Sequence, residues 1–527
     1  MNSLAHLSIF DAHHDQAHAE AVCINGDSLT YQALDNAAKN IAAWLCTKPQ
    51  KEECCIGLFM GKNLAAISGI YGVLRAGAVY VPLDIKNPAQ RIRYIIEQCQ
   101  IDTFFTTPDQ VSQLRECLMD YPVSVTIAVL THENWLAPSD KFHYVVIKPQ
   151  AEPSEPFVER EIAPEQLATI LYTSGSTGLP KGVMITHGAI DIFVRWVVSY
   201  FSLQANDRCI SHAPLHFDLS LLDIFATHSA GAALVLVPDN MIGNPKFLAQ
   251  YIAEQRITIW QSVPSVLVLL QKYGDVGKQQ YPALRHVLFA GERISARILE
   301  QLATHFSAAA FHNIYGATET NDTFIFSMAP GTTTLPDPLP IGQPLPYVDF
   351  LILDNDGQPV AQGLQGELLV KAPTMMRGYR NTVPASANLI EAGEHIGFYR
   401  TRDLVQQQPD GSLLFCGRQD DIVKTNGYRV NLLEIENVLQ GHPAIRDVAV
   451  IPLPDDEIGN RITAVISILP FTELSAVELK MFCAQRLPKY AIPHNVHIGT
   501  EPLPKTSSGK TNKQTLIKTR GQHVEIA

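Results

Sequence analysis

The 527-residue sequence contains no uninterrupted run of the roughly 18 apolar residues that a helix needs to cross a bilayer. Its nine cysteines include no Cys-x-x-Cys pair and no Cys/His spacing of a zinc site, which removes the usual sequence signs of a structural metal or a redox dithiol. Cys54 and Cys55 are adjacent, a poor geometry for either purpose. Basic charge is not in excess: 40 Lys and Arg stand against 52 Asp and Glu, for a formal net charge of -12. Nonspecific nucleic-acid binders draw their affinity from clustered cations, so this balance argues against that class. Met1 to Ser8 carry neither a basic segment nor a long apolar core, so no signal peptide is expected and the protein is read as cytoplasmic, with free thiols. Repeats and low-complexity tracts are also missing.

What remains is the composition of an ordinary globular enzyme, 46% hydrophobic and 17% charged. The length exceeds what one hydrophobic core sustains, so at least two domains are expected. Short β-branched runs alternate with helical patterns, which argues for α/β layers. His286 to Phe289, Phe350 to Leu353, Gly366 to Val370 and Asp447 to Ile451 read as strands; His187 to Tyr200 and Ser295 to Leu302 read as helices. The proline-rich stretch from Pro330 to Pro346 reads as an irregular connection.

The segment Leu171 to Val183 concentrates the parts that hold a nucleoside triphosphate. Hydroxyls at Thr173, Ser174, Ser176 and Thr177, glycines at 175, 178 and 182, and Lys181 form a loop whose backbone N–H groups can converge on phosphate oxygens. Its spacing is not that of the Walker A loop. Ser508 to Thr511 imitates the end of a Walker A loop, but Pro504 stands where that loop requires glycine.

Together with Leu29 to Leu34, Leu74 to Asp84, Phe217 to Ser220, Asn313 to Glu319, Gly366 to Leu368, Tyr399 to Leu404, Gly417 to Lys424 and Pro504 to Lys510, this loop makes nine elements in order along nearly the whole chain. In them the sequence resembles the adenylate-forming enzymes, and among these the stand-alone amino-acid adenylation enzymes of nonribosomal peptide assembly. The resemblance implies an α/β fold: a large N-terminal domain of sheets and helices, residues 1–419, and a small, mobile C-terminal α+β lid, residues 420–527. It implies ATP and Mg2+, a small amino acid as substrate, and a separate phosphopantetheinylated carrier protein as acceptor, with no nucleic acid or membrane as partner. No Leu-Gly-Gly-x-Ser attachment motif follows Lys510, which fits a separate acceptor.

The same resemblance assigns roles. Thr173, Ser174, Thr177 and Lys181 would hold the β- and γ-phosphates, with Gly175, Ser176, Gly291, Ile314, Gly316 and Thr318 completing the nucleotide site. Asn313 and Tyr315 would read and stack the adenine, and Asp403, supported by Arg418, would accept the ribose hydroxyls. Glu319 would be the magnesium ligand, since Mg2+ needs only one or two carboxylates beside phosphate and water. Lys510 would bridge the substrate carboxylate and the α-phosphate and so carry adenylate formation. Asp420 would be the hinge, with Lys424 and Gly427 lining a second lid state. The family commonly has glycine before the ribose aspartate and proline after Tyr-Gly; here Arg402 and Ala317 stand there.

Asp218 matches the carboxylate that pairs with the α-ammonium group in amino-acid-activating members, whereas acyl- and aryl-CoA ligases of the same fold have no ammonium to pair. Leu219, Leu222, Gln261, Leu288, Ala290, Ile314, Asp322 and Thr323 would line the side-chain pocket. Bulky Leu222 and Ile314 make it small. The pattern is similar to that of prolyl-AMP ligases acting on carrier proteins, except that Asp322 and Thr323 replace apolar positions, which suggests a substrate bearing a hydroxyl or a second nitrogen.

Overall fold

A computed structural model describes residues 4–12, 14–48, 53–131, 135–138, 141–148, 157–173, 179–381, 388–391, 393–504 and 511–521. Two large sheets dominate it. One has nine strands in the order Gln343–Pro344, Asn321–Met328, Ala310–Ala317, His286–Ala290, Ile259–Ser262, Arg208–Ser211, Ala233–Leu236, Glu20–Ile24 and Asp27–Thr30. Its centre is parallel and its edges turn antiparallel. The other has eight strands, with Lys181–Thr186, Leu167–Thr173, Val79–Pro82 and Cys55–Phe59 adjacent in that order.

The helices Tyr31–Cys46, Leu64–Arg75 and His187–Tyr200 bury apolar faces in one core shared by both sheets, as Leu34, Ile67, Phe193, Leu58 and Leu234 illustrate. Each starts where a polar side chain accepts from the open first turn: Thr30 from the Ala33 amide at 3.2 Å, Asn63 from Ala66 at 2.8 Å, and Thr186 from Ala189 at 3.2 Å. Such caps contribute about 1 kcal/mol each. The expected helix after Ser295 begins at Ala296 and runs on to His305, because Ser295 itself is extended.

An antiparallel four-stranded sheet, Asp349–Leu353, Gln365–Lys371, Tyr399–Gln407 and Leu413–Arg418, follows. The small C-terminal domain has the strands Ile445–Asp455, Gly459–Ile468 and Asn495–Gly499, covered by the helices Leu432–Gln440 and Ala476–Ala484. Val430, Ile435, Leu439, Val450, Ile462 and Leu479 form its own core. Ahead of it stands a two-stranded hairpin, Ile422–Thr425 and Tyr428–Asn431. All nine cysteines are free, and no helix among the described residues is long and apolar enough to cross a membrane.

Arg402 adopts φ 63, a left-handed conformation that costs a side chain about 1–2 kcal/mol. Its 3.9 Å approach to Glu367 is a half-exposed ion pair that offsets little. Arg402→Gly should therefore raise unfolding stability by about 1 kcal/mol in urea titration. A lowered midpoint would show that the arginine is held there by something stronger.

Candidate active site

The site grows from the hairpin Ala310–Ala317 and Asn321–Met328, at the edge of the nine-stranded sheet. The turn between its strands is tight enough that a Cβ on Gly316 would lie 2.1 Å from the Asn321 carbonyl oxygen, so glycine is required there. Ile314, Leu288 and Gln261 share one face of the sheet, and Leu222 packs in the same buried cluster as Leu288 and Ile314; all four are buried. Ala290 is buried on the same strand as Leu288, and Leu219 opens the short helix that follows Asp218.

Asp218 occupies the position before that helix but makes no capping bond. Its carboxylate accepts from the Thr318 hydroxyl at 2.6 Å instead. Burial raises its pKa, and the Thr318 bond and the nearby Lys424 only partly oppose that. Thr318, expected on the nucleotide, is joined here to Asp218, the carboxylate expected to pair with the substrate's ammonium group. A π-helical turn, Leu222–Ala226, continues the chain; such turns recur at functional sites.

Asp403, Arg418 and Tyr315 are brought together as expected, with a twist in their roles. The Tyr315 hydroxyl and the Arg418 guanidinium each donate to one oxygen of Asp403. Ribose hydroxyls would use the remaining lone pairs of that carboxylate. Burial raises the Asp403 pKa against the pull of Arg418. Arg418 also grips Asp420 with two bonds, 2.7 and 2.8 Å, so the expected hinge residue is tied directly to the expected ribose acceptor. Asn313 donates to the Pro340 carbonyl at 2.7 Å, anchoring the proline-rich connection; one of its amide hydrogens is therefore engaged away from any base.

The C-terminal hairpin reaches into this site. Lys424 is packed near Gly291: a Cβ there would sit 3.7 Å from the lysine Nζ, an ordinary contact, so it is the φ of 103 that favours glycine. Burial lowers the Lys424 pKa, and Asp403 and Asp218 pull it back up. The Gly427 amide donates to Glu292 at 2.7 Å, and Tyr428 meets Phe217 edge to face at 5.0 Å. Arg429 donates to both oxygens of Glu319, at 2.9 and 2.8 Å, and the Tyr379 hydroxyl adds a third bond at 2.7 Å. Glu319 is 1% exposed. Burial alone would raise its pKa, but Arg429 and Tyr379 hold it below the usual carboxylate range. Farther out, Arg91 pairs with Glu434 of the C-terminal domain.

Glu319 fits a magnesium site in this sense: its charge is neutralised here by a cation on a separate element, and exchange of that cation would free Oε2 while Oε1 keeps its bond from the Tyr379 hydroxyl. Among the described residues no cluster of three or more metal-ligating side chains exists, and Mg2+ on a nucleotide does not need one.

Thr173 and Lys181 face each other across the strands flanking the glycine-rich loop. The Lys181 ammonium lies 5.1 Å from the Tyr379 ring centre. Burial lowers its pKa while Glu319 raises it. Ser174, Gly175, Ser176 and Thr177 lie outside the described residues, as does Lys510. Around the latter, the Asn512 amide donates to Pro504 at 2.7 Å, and Lys513 pairs with Asp421 and Glu436 at 2.8 and 2.9 Å.

Thr323, expected to line the pocket, instead donates its hydroxyl to the Tyr315 carbonyl at 3.1 Å across the hairpin. Arg429, Tyr379, Glu292 and Tyr347 were not legible as site residues. Only Arg429 carried a hint, two positions past Gly427 in a segment already suspected of facing the site.

Residues 10–380 match the AMP-binding enzyme family and residues 434–510 the AMP-binding enzyme C-terminal domain. An L-proline–[L-prolyl-carrier protein] ligase of Pseudomonas fluorescens is 33% identical over 498 residues, covering 94% of this chain and 95% of the relative. A ligase of the same description from Streptomyces coelicolor is 33% identical over 506 residues, with 94% and 93% covered. The Vibrio cholerae adenylation domain AlmE, solved in complex with glycyl-adenosine-5'-phosphate, superposes with a TM-score of 0.86 at 25% identity, over 99% of this chain and 98% of that one. With the family match running through both the sheet-bound site and the domain whose hairpin enters it, the chain belongs to the AMP-binding enzymes.

Proposed function

We propose that the protein activates a small amino acid, proline-like or small and polar, with ATP and passes it to the phosphopantetheine thiol of a separate carrier protein in the cytoplasm. The amino-acid carboxylate attacks the α-phosphorus, pyrophosphate leaves, and the thiol sulfur then attacks the acyl carbon and releases AMP. The observation that carries this reading is Asp218: a half-buried carboxylate with a hydroxyl as its hydrogen-bond donor, whose pKa stays raised despite the nearby Lys424. Such a group is costly without a cation, and the α-ammonium of an amino acid supplies one where a fatty or aryl acid cannot. The full-length likeness to two carrier-protein ligases supports the acceptor.

In this reading Asp403 and Arg418 hold the ribose, Tyr315 borders the adenine, and Thr173 and Lys181 flank the phosphates. Glu319 would hold Mg2+, which would supply positive charge beside the phosphates. The position of the Lys424–Arg429 hairpin supports a lid turned about Asp420 into the thiol-transfer state, in which Arg429 pairs with Glu319.

The test is pyrophosphate exchange with the twenty common amino acids, followed by carrier loading. Exchange with no amino acid, or with simple fatty acids instead, refutes the reading. Asp218→Asn should cut exchange by about 10²-fold or more, since breaking a buried charge pair costs about 3–5 kcal/mol. Unchanged kinetics would remove the ammonium from the site.

A further inference from the structure

The pairing register of the site hairpin contains a bulge with a chemical consequence. Ile314 pairs with Ile325 and Tyr315 with Phe324, but Gly316 pairs with Asp322, so Thr323 is an extra residue. The bulge puts Asp322 on the same face as Ile314, toward the pocket, rather than on the opposite one. There the carboxylate feels Asp218, and burial together with that negative neighbour raises its pKa to about 8.

Three polar atoms around this face are buried and lack hydrogen-bond partners among the described residues: Asp322 Oδ2, the Tyr347 hydroxyl and Gln261 Oε1. Gln261 is only 3% exposed. Tyr347 lies close enough to Asp322 for that charge to raise its pKa further, after burial, and its ring is fixed edge-on to Trp196 at 6.3 Å. Unpaired buried groups of this kind each cost about 1–3 kcal/mol, so several in one pocket wall point to a ligand that satisfies them.

The geometry points to a substrate amino acid whose short side chain ends in a second basic nitrogen, seated between Asp322 and Tyr347. The inference rests on the amino-acid-activating reading and sharpens it. The α-ammonium can neutralise Asp218, which leaves Asp322 with a buried, unpartnered Oδ2. A hydroxyl would fill a hydrogen bond but bring no charge, so Asp322 would stay protonated beside Asp218. A protonated amine brings the missing charge and three donors, enough for Asp322 and the Tyr347 oxygen. Leu222, Leu288 and Ile314, all buried, leave the cation little reach. The class is therefore an α-amino acid with an amino group on its β- or γ-carbon.

Pyrophosphate exchange should be measured with 2,3-diaminopropionate and 2,4-diaminobutyrate beside their hydroxyl counterparts serine and homoserine, their methyl counterparts 2-aminobutyrate and norvaline, and proline. One diamino acid should exceed its hydroxyl and methyl counterparts by about 10²-fold or more in kcat/KM, within the up to about 10⁴-fold discrimination that a polar site achieves. Asp322→Asn should collapse that preference, and Tyr347→Phe, which retains the ring against Trp196, should reduce it. Higher activity with serine, homoserine, proline or an apolar amino acid in the parent enzyme overturns the inference. So does an Asp322→Asn variant with the parent's ranking. Exchange with no amino acid at all overturns the underlying activation reading instead, so the two failures are distinguishable.

Discussion

Lys510→Ala should lower amino-acid-dependent pyrophosphate exchange by about 10²–10³-fold or more, the usual loss when a preorganised charge is removed from a transition state. Transfer from a supplied aminoacyl-AMP to the carrier thiol should stay within a few fold of the parent. The asymmetry follows from what each step asks of a cation. In the first, a carboxylate approaches a triphosphate and negative charge accumulates between them, which a compact ammonium on a flexible stem can bridge. In the second, pyrophosphate is gone, and Lys424, close enough to Asp403 and Asp218 to feel both charges, brings a positive charge to the site. Exchange and single-turnover loading, measured on one preparation, separate the two. Equal losses in both would mean that the enzyme uses a single arrangement of its C-terminal domain throughout.

How much of this could be read in the sequence depended on whether a feature was local. The helix His187–Tyr200 was legible to the residue, because Thr186 supplies its cap and its apolar positions recur at helical spacing. The strand His286–Ala290 was legible, as far as Phe289, from the short apolar run Val287 to Phe289. Asp403 and Arg418 were placed as partners by motif alone, and the antiparallel register that pairs them directly is the reason the motif has its spacing. The bulge was not legible, because sequence spacing does not reveal one: the extra residue puts Asp322 on the face of Ile314, and the Thr323 hydroxyl bonds the Tyr315 carbonyl. Thr318 was assigned to the nucleotide because it lies between nucleotide residues, but its hydroxyl turns to Asp218, distant in the chain. Tyr347 follows an irregular proline-rich stretch with no period of its own, so only tertiary packing brings it to Asp322.

Arg429→Ala should produce the opposite defect to Lys510→Ala: pyrophosphate exchange near the parent's, and carrier loading slowed by about 10²-fold or more. Glu319 is inside the protein, and the bonds it accepts from the Arg429 guanidinium are what neutralise it when the hairpin is seated. Removing one partner of a buried pair costs about 3–5 kcal/mol, because the other charge is left uncompensated. That cost falls only on the state in which the hairpin fills the site. If Glu319 holds Mg2+ in an adenylating state, as proposed, the first step does not need the arginine. Arg429→Lys should recover part of the loading rate, since it restores the charge but not the planar fork of donors. Raising free Mg2+ should slow loading by the parent enzyme, where metal and arginine compete for one carboxylate, and should have less effect on Arg429→Ala, where that competition is gone. If Arg429→Ala instead weakens exchange and loading alike, Glu319 and Arg429 act as a fixed ion pair, and the metal binds elsewhere.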